Sequence, residues 1–271
     1  MTEWNPAAYV RRSGLQQAMA QEALALLHLS GYERVLDIGC GDGRITAEIA
    51  SRLPNGFVLG VDSSHDMIAY AAGHNDCPNV AFQVADAANL PFYNEFDLIV
   101  SFNALHWLSN PDPPLRSMRD AMKPSAKAQL RLVPDGQRKS LESVIEETRK
   151  SPKWARYFEN FRDPYLHVTP EEYAKVAERN GLRVERMHTS EHSWDFHTRS
   201  DFFASCSVTL VEWTRRLPDA EKGPFITDVL ENYEKVAADT PAEAHTFKFY
   251  QLDVTLSCVI PGSLSAAPSD C

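Results

Sequence analysis

The chain has 271 residues, enough for one generous domain or for a core domain with a cap. Apolar residues make up 44% of it, which suits a packed core and excludes a disordered chain. A formal charge of −10 works against nonspecific nucleic-acid binding, and no apolar run approaches the roughly 20 residues of a membrane span. Charges but no apolar block mark residues 1–12, so no secretory signal is read there and a cytoplasmic location is expected. The cysteines, Cys40, Cys77, Cys206, Cys258 and Cys271, are odd in number and scattered, without a C-x-x-C pair. Neither a disulfide framework nor a metal site is expected from them.

In chain order, Leu15 to Leu29 has helical character. Arg34 to Ile38 reads as a short buried strand that runs into the turn Gly39-Cys40-Gly41-Asp42-Gly43. Ile45, Ile49 and Leu53 come next at helical spacing, and Pro54-Asn55-Gly56 breaks that helix. Phe57 to Val61 is a second strand, ended by Asp62, and Ser63 to Ala72 a helix. Val80 to Val84 and Phe96 to Phe102 are further strands. Pro113 to Met122 is a helix, and Ala128 to Val133 a fifth strand.

After Pro134 the pattern changes. Residues 137–168 hold a helical stretch and an aromatic-rich segment with Trp154, Tyr157, Phe158, Phe161 and Tyr165. Thr169-Pro170-Glu171-Glu172 has the form of a capping box, and Asn180-Gly181 ends that helix. Leu182 to Arg186 is a sixth strand; helices occupy about 200–238; Tyr250, Leu252, Val254 and Leu256 alternate as a last strand. Strands alternating with helices predict an α/β fold: a doubly wound, mostly parallel, seven-stranded Rossmann-like sheet with an inserted helical cap. The expected division is a helical segment over the site at 1–30 and an α/β core at 31–135. A cap at 136–180, the remainder of the sheet with a helical insertion at 181–260, and a frayed tail at 261–271 complete it.

In such sheets ligands bind at the carboxyl ends of the strands. There the chain places Asp37-x-Gly39-x-Gly41-x-Gly43, then Asp62, then Asp86. Glycines let backbone pass close beneath a ligand, and acids at the second and third strand ends can accept hydrogen bonds from a ribose diol and an adenine amino group. Each feature alone has a bland reading: helix packing for the turn, a helix cap for Asp62, a turn residue for Asp86. Their joint occurrence at successive strand ends points to a nucleoside without phosphate. A dinucleotide oxidoreductase would show G-x-G-x-x-G, whereas the spacing here is G-x-G-x-G, and Asp37 would repel a pyrophosphate.

Val35-Leu36-Asp37-Ile38-Gly39-Cys40-Gly41-Asp42-Gly43 resembles the first motif of class I S-adenosylmethionine-dependent methyltransferases. The resemblance implies S-adenosylmethionine as cofactor and S-adenosylhomocysteine as product. It assigns Asp37 to the amino end of the cofactor, with Gly39, Cys40, Gly41 and Gly43 forming the turn beside it. Asp62 would hold the ribose, with Ser63 and Met67 flanking the adenosine and Asp86 and Ala87 flanking the adenine. Trp4-Asn5-Pro6, Tyr9 and Leu15-Gln16, with Leu105-His106-Trp107-Leu108, resemble the trans-aconitate and juvenile hormone acid methyltransferase group. That likeness adds Tyr9, Gln16 and Asn103 to the cofactor set and brings Trp107 near cofactor and acceptor. Lys123-Pro124-Ser125-Ala126-Lys127 departs from the group's Pro-Gly-Gly before the fifth strand. The group implies a small-molecule acceptor, methylated on a carboxylate or hydroxyl oxygen. C-methylation and a non-catalytic binding module are the alternatives.

A nucleic-acid base acceptor is disfavoured. Asn110-Pro111-Asp112-Pro113-Pro114 lies too late for the Asn/Asp-Pro-Pro-aromatic turn of base methyltransferases and lacks its aromatic residue. A metal-dependent catechol enzyme would need carboxylates at the fourth strand end, where Ser101 to Trp107 has none. His106 is the candidate base or acceptor contact, with simple packing beside Trp107 as the structural alternative. The cap aromatics can wall an acceptor pocket or merely fill the cap. Arg138, Arg162 and His167 can pair with an acidic acceptor or sit in solvent. His188, His192 and His197, with Trp194, do not have metal-ligand spacing and fit alternating strand faces better. Neither membrane nor nucleic acid is an expected partner, and the sequence does not separate a monomer from a homodimer.

Overall fold

A computed structural model describes residues 14–259; the predicted tail and Tyr9 lie outside the described residues, as does the side chain of Gln16. The first helix, α1 (Gly14–Ala25), leads into β1 (Arg34–Ile38), α2 (Arg44–Ser51), β2 (Phe57–Asp62), α3 (His65–His74) and β3 (Val80–Val84). Then come β4 (Phe96–Phe102), α4 (Asp112–Ala121), β5 (Met122–Leu132), α5 (Leu141–Arg149), α6 (Pro170–Arg179) and β6 (Leu182–Asp195). The chain continues through α7 (Arg199–Thr209), α8 (Val211–Thr214), α9 (Asp219–Ala237) and β7 (Thr246–Cys258).

The seven strands form one sheet in the order β3-β2-β1-β4-β5-β7-β6. Pairings from β3 through β5 are parallel; β7 runs antiparallel to both β5 and β6. The order reverses between β1 and β4, so the loops after those strands border a crevice at a topological switch point. Apolar residues on one sheet face, among them Leu36, Ile38, Ile99, Leu130 and Val254, pack with α4 and α6. Val35, Val58 and Val100 pack on the other face with Leu24, Ile49 and Leu53. A third cluster gathers Trp154, Phe158, Trp213, Phe225 and Tyr233 from the cap.

These clusters divide the chain differently from the expected segments. Helix α6 falls within 136–180, but its Tyr173, Val176 and Ala177 are buried in the sheet cluster. Helices α7 to α9 fall within 181–260, but Phe202, Cys206, Trp213 and Val229 belong to the cap cluster with Val144 and Ile145 of α5. The cap is therefore assembled from two separated stretches on either side of α6 and β6. Periodicity reports that a helix has an apolar face, not which neighbour that face meets.

Strand β6 is much longer than the expected Leu182 to Arg186, pairing with β7 as far as Asp195 with one register shift between Val184 and Arg186. It lies at the sheet edge, and Glu185, His188, Glu191 and Ser193 are exposed, so polar residues dilute the strand signal. His188 and His192 accordingly sit on the strand; His192 stacks on Phe249 at 5.5 Å. Trp194 packs on the cap cluster, and His197 lies beyond the strand with φ 63°. Strand β5 begins early, at Met122, and its register against β4 breaks between Phe96 and Leu98, where Lys123-Pro124-Ser125 bulges. Arg131 anchors α1 to the sheet. It is 3% exposed, donates to Asp253 at 2.7 and 2.9 Å, and also donates to the Met19 carbonyl.

Candidate active site

The loop after β1 is pinned across to β2. The N–H groups of Gly39 and Cys40 both donate to the Val61 carbonyl, at 2.8 and 3.0 Å. Asp62 braces two further loop amides: Oδ2 accepts from the Gly41 N–H at 3.1 Å and Oδ1 from the Ser64 N–H at 2.9 Å. Ser64 caps α3 through the Met67 N–H at 3.3 Å. Gly39 is required at its position: φ is +77°, and an added Cβ would meet the Ala104 Cβ at 2.2 Å. Gly43 also has φ +77° and begins α2 against Phe82.

A cavity of about 480 Å³ opens above this loop. Gly39, Gly41, Asp62, Ser63, Met67, Asp86, Ala87, Asn103, His106 and Trp107 all line it, gathered from the ends of β1, β2, β3 and β4. Asp37, Cys40 and Gly43 do not; they stand behind the lining. Asp37 is buried and accepts from the Thr46 hydroxyl at 2.7 Å, while burial pushes its carboxyl up to about 7. Burial likewise pushes the Cys40 thiol up, and its Sγ faces Gly60. Asp86 is exposed at the rim and accepts from the Ala88 N–H at 2.9 Å. Asn103 holds a left-handed turn, φ 59°, its N–H donates to the Arg131 carbonyl at 2.8 Å, and its buried Oδ1 has no partner. An unpaired buried acceptor facing a cavity is the mark of a ligand-binding wall.

His106 is 5% exposed, and its Nδ1 accepts from the Val133 N–H at 3.2 Å. That bond fixes the ring as the tautomer with its proton on Nε2, and burial lowers its basicity to a pKa of about 3. In that tautomer the ring is neutral and carries its proton on Nε2. Trp107 stands edge-on to Tyr165, with centroids 5.4 Å apart, and near Trp213 at 6.2 Å.

The rest of the cavity comes from the cap side: Leu15 and Met19 of α1, Glu142 of α5, Cys206 and Thr209 of α7, and Phe249 of β7. The segment expected over the site at 1–30 contains Leu15 and Met19; Glu142, Cys206, Thr209 and Phe249 carry no sequence signal for the site. Of the cap aromatics, Tyr165 lines the cavity, whereas Trp154 and Phe158 are cap core. His167 is a structural clamp, 2.8 Å from Asp163 and 3.6 Å from Asp135; these two carboxylates push it up to about 10. Arg138 is spent on Asp239 and the Ala237 carbonyl.

The lining fits a nucleoside with a cationic centre. It brings together the carboxylates of Asp62 and Asp86, the unpaired Oδ1 of Asn103 and a Cβ-free turn with room for close approach. Sheet order and cavity position together define the class I methyltransferase architecture. A methyltransferase-domain family model matches residues 35–125. The chain is 30% identical to trans-aconitate 2-methyltransferase of Delftia acidovorans, over 84% of this chain and 88% of that one. It is 32% identical to trans-aconitate 2-methyltransferase of Methylobacterium radiotolerans, over 79% of each. Phosphoethanolamine N-methyltransferase 2 of Haemonchus contortus, solved with S-adenosylhomocysteine, shares the fold. Its TM-score is 0.60 at 16% identity, covering 93% of this chain and 57% of that one. The chain belongs to the class I S-adenosylmethionine-dependent methyltransferases. It is an enzyme with S-adenosylmethionine as cofactor. Among the described residues no helix is long and apolar enough to cross a membrane.

Proposed function

We propose that the enzyme methylates an oxygen atom of a small, largely apolar acceptor held between the strand-end loops and the cap. The carrying observation is that one cavity of about 480 Å³ is lined by both halves, a size suited to small ligands. The names of the relatives, whose substrate is a small acid, support an oxygen acceptor.

In this reading Asp62 accepts from the ribose diol, Ser63 and Met67 flank the adenosine, and Asp86 and Ala87 border the adenine. Gly39 and Gly41 pass beneath the methionyl portion, and Asn103 offers its unpaired Oδ1 to a donor there. Asp37, Cys40 and Gly43 support the turn from behind. When bound, the cofactor supplies an electrophilic methyl group whose bonding pair leaves with sulfur. The protein's part is alignment and exclusion of water. Trp107 and Tyr165 wall the meeting point, and His106 offers an Nε2 proton as a fixed hydrogen-bond donor.

The test is calorimetric titration of the wild type and Asp62→Ala with S-adenosylhomocysteine. Removing a carboxylate that also braces two backbone N–H groups is expected to weaken binding by about two orders of magnitude. Equal affinity in the two proteins would remove Asp62 from the site.

A further inference from the structure

Glu142 sits in the first turn of α5, after the N-cap Ser140, where an acid normally faces solvent and interacts with the helix dipole. Here it is 8% exposed and lines the cavity. Its Oε2 is buried without a hydrogen-bond partner. A buried carboxylate oxygen without a partner is costly unless a ligand completes it. Tyr165 and Cys206, which also line the chamber, lie close enough to feel its charge. The other candidate proton acceptor, His106, is excluded, because its Nδ1 is occupied by the Val133 N–H.

We infer that Glu142 receives the acceptor's hydroxyl proton, which makes a neutral, apolar alcohol or phenol the acceptor class. This rests on the oxygen-methylation reading above and narrows it. The acceptor's O–H bond breaks, its proton passes to Glu142 Oε2, and the bonding pair stays on the oxygen as the nucleophile. The proton returns to solvent after product leaves, which restores the carboxylate.

Charge in the chamber points the same way. Among the described lining residues the acids are Asp62, Asp86, Glu142 and Glu212, against Arg215, which is itself paired with Glu212 at 2.6 Å. A polycarboxylate would meet repulsion there. The charged groups that act on Glu142 are the His167 cation, which favours its ionised form, and Asp135 and Asp163, which oppose it. The titratable Tyr165, Cys206 of α7 and Tyr233 of α9 surround it, each neutral because its pKa is raised by burial. Desolvation dominates, and the carboxyl is raised to about 7, suited to taking and returning a proton near neutrality.

The experiment uses the enzyme saturated with S-adenosylhomocysteine, titrated with the matched probes 4-phenylphenol and 4-phenylbenzoate. The wild type is expected to bind the phenol at least tenfold more tightly than the benzoate, and phenol affinity should rise with pH through about 7. In Glu142→Gln, phenol affinity should fall at least tenfold and lose that pH dependence, with S-adenosylhomocysteine affinity unchanged. Glu142→Asp, which keeps the charge, should retain the pH dependence and serves if the Gln variant folds poorly. Preference for the benzoate, a flat wild-type pH profile, an unaffected Gln variant, or no binding of either probe overturns the inference. If the wild type failed to bind S-adenosylhomocysteine, the proposed cofactor site would fall instead.

Discussion

The strand-end half of the cavity draws Gly39, Gly41, Asp62 and Ser63 from one short stretch, each placed by the end of a parallel strand. The cap half draws Leu15, Glu142, Cys206 and Phe249 from four elements scattered along the chain. In the first half the backbone does the positioning: loop N–H groups are pinned to Val61 and Asp62, and the glycines are compelled by sterics. In the second half packing does it, with apolar side chains enclosing one unpaired carboxylate. The first arrangement tolerates almost no change in its turn; the second can be relined while the fold stays the same.

The largest expected effect breaks the first half outright. Gly39→Val combines a positive φ, costly for any β-branched residue, with overlap of Ala104 at 2.2 Å. The loop must move, so S-adenosylhomocysteine binding should fall beyond detection and the thermal midpoint should drop by several degrees. Ala104 faces that contact from the loop after β4, so a variant that bound normally would show this crossing to be soft.

A second, smaller effect separates the two buried acids, Asp37 beneath the loop and Glu142 in the cap, both raised to about 7 by desolvation. Between about pH 4 and 7 the folded state holds a proton on Asp37 that the unfolded chain has released. Stability therefore falls as pH rises through that window, by an amount on the order of a few kcal/mol. Asp37→Asn carries no such penalty. Its melting point relative to the wild type should climb from pH 5 to pH 8, while Glu142 titrates equally in both proteins and cancels. If Asp37 serves a cationic amino group, adding S-adenosylhomocysteine should shrink the climb, and the same comparison with Glu142→Gln should be unaffected. A difference that does not vary with pH would mean that Asp37 is ionised in the folded protein throughout.

The same contrast explains what could be read from the chain. Strands β1 to β4 and their terminal Gly and Asp residues were legible because parallel buried strands are short apolar runs with chemistry at one end. Glu142 was not, because Ser140-Leu141-Glu142 is also how an ordinary exposed helix begins, and only tertiary packing turns that acid inward. The loop after β4 points to His106, but its tautomer depends on the Val133 N–H, a partner 27 residues away. The sequence signal covers only the start of β6, because its outer half pairs with β7 on an exposed edge, where alternation of polar residues with half-buried ones carries little apolar signal.

The smallest expected effect tests where the boundary between the halves runs. Helix α6 comes after the cap segment in sequence, yet Tyr173, Val176 and Ala177 pack on the sheet, and Asn180 at its end binds Asp112 at 2.7 Å. Its start is a full capping box: Thr169 Oγ1 accepts from the Glu172 N–H at 3.2 Å, and Glu172 Oε2 accepts from the Thr169 N–H at 2.8 Å. Thr169→Ala should cost about 1 kcal/mol, read as a shift in a single cooperative melt. Because α6 is part of the sheet's packing, affinity for 4-phenylphenol and for S-adenosylhomocysteine should stay within twofold of the wild type. A selective loss of phenol affinity would instead couple α6 to the cap, and the acceptor chamber would then extend its supporting structure across both stretches of chain.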